Sequence, residues 1–155
     1  MHKQLLHTAR DWVDRAVTGS TDLECSALLL RRATSNAYYA LFYALSNQAA
    51  DLLAGEGRPH RIRVYRALDH ARAKKECNKL GSQTALSVGI RDCAGSLVTL
   101  QEARHKADYD PRWVPDASTV LGHIDLAQQA IDNLTATDEL ERRAFVLCLL
   151  FQERL

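Results

Sequence analysis

At 155 residues, 46% apolar and 25% charged, the chain has the size and composition of one globular domain able to bury a core. No apolar run reaches the roughly 18 residues that a membrane helix needs. The N-terminal stretch MHKQLLHTARDWVDR carries charges throughout, where a signal peptide has an apolar centre. The expectation is a cytoplasmic protein with no membrane partner, and the net charge of +1 points to no partner class by itself.

Leu5, Leu6, Ala9, Trp12, Val13 and Ala16 recur at three- and four-residue spacing, which predicts an amphipathic first helix ended by Gly19-Ser20. Thr21-x-x-Glu24 matches a capping box, in which each side chain satisfies a free backbone N–H of the next helix. That second helix is predicted from about Leu23 to Leu53, a stretch without Pro or Gly. Leu29, Ala33, Ala37, Ala40, Ala44 and Ala49 place small or apolar groups along one side, so a neighbouring helix can approach closely. Tyr38/Phe42 and Tyr39/Tyr43 are pairs four residues apart, each pair sharing a face. Gly55-Glu56-Gly57 and Pro59 stop the helix.

The charge is unevenly spread. Between Arg58 and Lys79 lie Arg58, Arg61, Arg63, Arg66, Arg72, Lys74, Lys75 and Lys79 against Asp69 and Glu76, a net of +6 that leaves the rest of the chain at about −5. This segment is predicted as a helix from about His60 to Lys79, with Ile62, Tyr65, Leu68 and Ala71 as a thin apolar stripe, broken at Gly81-Ser82. A fourth helix follows from about Thr84 to Ala107, with Leu86, Ile90, Ala94, Leu97 and Leu100 inward, and Asp110-Pro111 ends it. Pro115-Asp116 opens a fifth helix reaching about Leu134. Asp138-x-x-Glu141 resembles a second capping box and opens a last helix, whose tail AFVLCLLF is apolar on all sides and expected to be buried against the body or a second subunit. With no β-alternation, repeat or low-complexity tract, and with short connections, the reading is all-α: an up-and-down antiparallel bundle of five or six helices, residues 1–155 forming a single domain. Cys25, Cys77, Cys93 and Cys148 show neither Cys-x-x-Cys pairing nor zinc-finger spacing to a histidine. They read as reduced helical thiols, with no disulfide framework, structural metal or cofactor expected.

Two stretches, RRATSNAYYALFYAL (Arg31–Leu45) and RHKADYD (Arg104–Asp110), resemble the HEPN family. One is Arg31–Leu45 (RRATSNAYYALFYAL), similar to the family's long helix with an arginine, a small polar residue and then Ala-Tyr-Tyr-Ala-x-Phe: here Arg32, Ser35 and Ala37-Tyr38-Tyr39-Ala40-Leu41-Phe42. The other is Arg104-His105-Lys106-Ala107-Asp108-Tyr109-Asp110, similar to the Arg…Ala-Asp-Tyr ending of a later helix. Order and separation fit over roughly Leu23–Leu134. The resemblance implies a HEPN-like helical bundle that usually forms a homodimer, is often linked to RNA, and in some members stands beside a minimal nucleotidyltransferase in a toxin–antitoxin pair. Many members are metal-independent ribonucleases whose arginine stabilises phosphate charge while a histidine four to six residues further on moves a proton.

The chain departs from that motif. With four to six residues in between, the positions after Arg104 are Tyr109, Asp110 and Pro111, and none is histidine. His105 follows Arg104 directly, about 100° away around a helix, so the two converge only across a two-fold axis. The resemblance therefore supports two readings: a non-catalytic or weakly catalytic module acting on RNA or a nucleotide, and a toxin-like endoribonuclease using Arg104 at a dimer cleft. In the second, His105, Asp108 and Tyr109 are the remaining candidate catalytic residues, with Arg32, Asn36 and Tyr39 supporting them. Arg104–Asp108 reads equally as a structural pair that offsets an acidic helix end, and Asp108 with Asp110 as a carboxylate pair. Arg63 and His70 match the motif spacing on one helix face, but His70 reads first as a surface residue in an arginine-rich stretch. The candidate RNA-binding set is Arg58, Arg61, Arg63, Arg66, Arg72, Lys74 and Lys75, against a solvated helix face. The tyrosine cluster reads as packing before base stacking, its hydroxyls needing buried partners such as Ser35, Asn36 or Asn47.

Overall fold

The computed structural model describes residues 1–19 and 22–151, which form seven helices and no strand. They are α1 (His2–Thr18), α2 (Leu23–Ala54), α3 (Arg61–Tyr65), α4 (His70–Leu80), α5 (Val88–Tyr109), α6 (Ala117–Ala136) and α7 (Glu139–Leu150). The all-α expectation holds, with the basic segment folded as two helices.

The 32-residue α2 is the axis of the bundle, contacting α1, α3, α5, α6 and α7. Its small residues explain how one helix serves so many neighbours. Ala33, Ala37, Ala40, Ala44 and Ala49 are buried and leave room for adjacent backbones, while Tyr38, Leu41 and Leu45 fill the gaps between them. Buried side chains of α1, α2, α4, α5, α6 and α7, with Leu68 from the α3–α4 connection, make one continuous core.

Helix starts follow side-chain chemistry. The carboxylates of Asp22, Asp69, Asp116 and Asp138 and the hydroxyl of Ser87 each accept a backbone N–H in the first turn of the helix they precede. The Thr21 half of the expected capping box lies outside the described residues, and the described cap of α2 is Asp22, accepting from the Cys25 N–H at 2.7 Å. At α7 only half of the box forms. Asp138 accepts from the Leu140 and Glu141 N–H groups, whereas Glu141 turns away to accept from the Ser87 N–H at 2.6 Å.

Two boundaries differ from expectation for the same reason. The basic segment is not one helix, because Leu68 is buried and Asp69 accepts from the Arg72 N–H at 2.9 Å, starting α4 afresh. The helix expected from Thr84 begins at Val88, where Ser87 caps it. The tail of α7 is apolar all round but buried on one side only: Phe145, Val146, Leu149 and Leu150 face the core, while Ala144, Leu147 and Cys148 are exposed. A last helix laid on a finished bundle has one stripe to bury.

Candidate functional site

The two stretches carrying the family resemblance meet in space. The last turns of α5 lie antiparallel to the first half of α2, with three rungs in register. Arg31 Nη1 donates to the backbone carbonyls of Asp110 and Trp113 at 2.8 and 3.0 Å. Ser35 Oγ donates to Asp108 Oδ1 at 2.6 Å. Arg104 Nη2 donates to the Tyr39 hydroxyl at 2.9 Å. Arg31, Ser35 and Tyr39 are each four residues apart, so they form one ridge of α2.

Arg104 and Asp108 form an ion pair along α5, Nε to Oδ2 at 2.6 Å, both side chains mostly buried. The contact is close but not aligned as a hydrogen bond, and Nε has no other partner. The Arg104 guanidinium also lies between two rings, 5.5 Å from the Tyr39 centroid and 5.6 Å from that of Tyr109. Burial would pull its pKa down, but the Tyr39 hydroxyl and then the Asp108 carboxylate outweigh that and hold it above the ordinary guanidinium range. This pair compensates the acidic helix end, as one of the two readings required.

Beside the seam is an open groove of about 380 Å³, lined by Arg31, Arg32, Ser35, Asn36, Tyr39, Ala107, Asp108 and Tyr109 with Leu28. It thus collects the supporting candidates Arg32, Asn36 and Tyr39 and the candidates Asp108 and Tyr109. Arg104 stands behind it, reaching it through Tyr39 and Asp108. His105 is exposed, does not line the groove, and its ring lies against Tyr109 at 5.0 Å. No histidine lines the groove. Asp110 does not join Asp108 as a carboxylate pair, since its Oδ1 accepts from the Arg112 N–H at 3.0 Å beyond the helix end. Among the described residues no three His, Cys, Asp or Glu side chains gather as a metal would require.

The tyrosine cluster divides in two. Tyr38 and Phe42 are buried, and Tyr39 and Tyr43 are half-buried. The buried Tyr38 hydroxyl is not paired with Ser35, Asn36 or Asn47 but with His70 Nδ1, at 2.5 Å. Burial pushes the Tyr38 hydroxyl well above its usual range.

His70 is therefore not the surface residue expected. It is half-buried, its ring stacks on Phe42 at 3.9 Å, and its carbonyl accepts from Gln101 Nε2. Nor do Arg63 and His70 share a helix, because the break before Asp69 puts them on α3 and α4. Burial, then the nearby Arg104 charge, lower the His70 pKa, with Asp69 opposing. Asp69 caps α4 one residue before His70 and so sets His70 in the first turn, against Tyr38 of α2 and Gln101 of α5.

The basic segment also divides. Arg61 donates to Asp51 and Asn47, Arg72 to the Leu150 carbonyl, and Lys74 and Lys79 pair with Glu102 and Glu76. The side chains of Arg58, Arg63, Arg66 and Lys75 are exposed with no hydrogen bond or ion pair to another described residue. Cys77 and Cys93 are buried, and burial pushes the Cys93 thiol up to about 12, so it stays protonated.

A scan against protein-family models finds no match to this chain, and searches of curated proteins and of solved structures find no similar protein.

Proposed function

We propose that the chain is a HEPN-like module that binds RNA at the groove between α2 and α5, as a binding protein rather than an efficient nuclease. The observation that carries this reading is the meeting of Arg31–Tyr39 with Arg104–Trp113 in one hydrogen-bonded seam that leaves two cations unneutralised. Arg31 is held by two carbonyls, which orient its charge without cancelling it. Arg32 is exposed on the groove wall with no ionic partner among the described residues. Arg104 and Asp108 cancel each other, so the groove carries about two positive charges. Asn36 can hydrogen-bond a base edge and the 64% exposed Tyr109 can stack on one. No histidine lines the groove for proton transfer, and its one carboxylate, Asp108, is already engaged by Arg104 and Ser35. Leu23, Leu28 and Val114 are exposed nearby and support a homodimer that places a second copy next to this groove.

Fluorescence anisotropy with a labelled oligouridylate in EDTA, across a salt series, tests the reading. Two phosphate contacts on a single strand give a slope of about −1.4 in log K against log salt, and Arg32→Ala is expected to reduce it by about 0.7. Retained affinity and slope in Arg32→Ala would contradict the site. Cleavage of the RNA in EDTA, lost in Arg104→Ala, would support the ribonuclease reading in its place.

A further inference from the structure

Resting on that RNA-binding reading, we propose that the groove is one end of a longer track for single-stranded nucleic acid. The track runs over Tyr39, Tyr43 and Tyr65 to the unpaired cations around α3. Tyr39 and Tyr43 stack at 5.9 Å with 25° between their planes, and Tyr43 and Tyr65 at 6.3 Å with 15°. All three are half-buried, unlike Tyr38 and Phe42, which fill the core. At the groove end the row continues through the Arg104 guanidinium to the exposed Tyr109 ring. At the other end, Tyr65 sits on a short helix that also carries Arg63 and is followed by Arg66, both exposed and unpaired among the described residues.

The chemistry of this strip suits one ligand class. Aromatic rings in series accept bases of any identity, and cations beside them follow a phosphate backbone. The three rings are only partly exposed, so a base must leave its own stack to lie on one, which a base pair inside a duplex does not do. From Arg32 to Asn47 is fifteen residues of α2, about 22 Å at the helical rise of ~1.5 Å per residue. That is the length of at most roughly six or seven nucleotides, counted at the stacked spacing of about 3.4 Å, and of fewer where bases are splayed onto the rings.

The test is anisotropy with the full chain in EDTA, using labelled oligouridylates of three, five, seven and ten nucleotides, the matching deoxy-oligonucleotides and a ten-base-pair RNA duplex. Affinity should rise about tenfold or more from three to seven nucleotides and then level off, with the duplex weaker. Tyr65→Leu, and separately the exposed pair Arg63→Ala/Arg66→Ala, should weaken the seven-nucleotide ligand by about tenfold and leave the trinucleotide unchanged. The arginine pair keeps the test valid if Tyr65→Leu disturbs folding. Tighter binding of RNA than DNA assigns a role to the 2′-hydroxyl, and equal binding assigns the affinity to stacking and phosphate alone; both fit the track. Length-independent binding, duplex binding as tight as single-strand binding, or an arginine pair that binds like wild type would overturn the track, while the groove reading survives on the Arg32→Ala result. Absence of binding to every oligonucleotide would sink both.

Discussion

With Asp108 Oδ2 2.6 Å from its Nε and the Tyr39 hydroxyl on Nη2, Arg104 is a positioned residue more than a free cation. Its charge is taken up in closing the end of α5, so under the proposed RNA-binding reading the ligand-facing role falls to Arg31 and Arg32. His70 behaves in a related way. Burial among Tyr38, Tyr39 and Phe42 lowers its pKa, with the Arg104 charge adding to that and Asp69 opposing. Above its ordinary value of 6.5 the ring is neutral whether folded or not. As pH falls below 6.5 the unfolded chain takes the proton first, so folding stability declines. Wild type should therefore show a lower urea midpoint at pH 5.5 than at pH 7.5, and His70→Gln a smaller difference. A remainder is expected from His2 and His123, which burial lowers in the same direction. Equal pH dependence in wild type and variant would mean that burial does not lower the His70 pKa. The sequence did not disclose this residue, because a histidine amid arginines resembles a solvated face until the break at Leu68-Asp69 is known.

At the scale of elements, one ridge of α2 organises the whole face. Arg31, Ser35, Tyr39, Tyr43, Asn47 and Asp51 fall at every fourth position. In order they meet the carbonyls after α5, Asp108, Arg104 and Tyr65, and the last two share Arg61. The ridge was legible as spacing, and the Arg104–Asp108 pair as an i,i+4 contact. The partners across the seam were not, because register between α2 and α5 is set by how alanines and large side chains interlock, which no single helix encodes. A second close contact fixes the other end of α5. A Cβ added at Gly89 would lie 2.8 Å from Thr137 Oγ1 and 3.3 Å from the Asn133 carbonyl. Gly89→Ala should destabilise by about 1–3 kcal/mol through overpacking. Adding Thr137→Ala should restore part of that, a coupling that a double-mutant cycle in urea reads directly. Strict additivity would show that the two groups do not meet.

For the whole molecule, composition and periodicity were enough to read an all-helical bundle, and four of the seven helices begin and end within a few residues of expectation. Net charge was the least informative number. The +6 segment is locally neutralised at Arg61, Lys74 and Lys79, and only Arg58, Arg63, Arg66 and Lys75 remain exposed and unpaired among the described residues. The molecule thus presents two cationic ends, at Arg31/Arg32 and at α3, joined by half-buried tyrosines. Amide chemical-shift mapping on the ¹⁵N-labelled chain, titrated with a seven-nucleotide oligouridylate, tests that arrangement most directly. The account predicts shifts concentrated at Arg32, Asn36, Tyr39, Tyr43, Asp108 and Tyr109, extending to Arg63 and Tyr65. Shifts confined to α6 and α1, or none at saturating RNA, would contradict it.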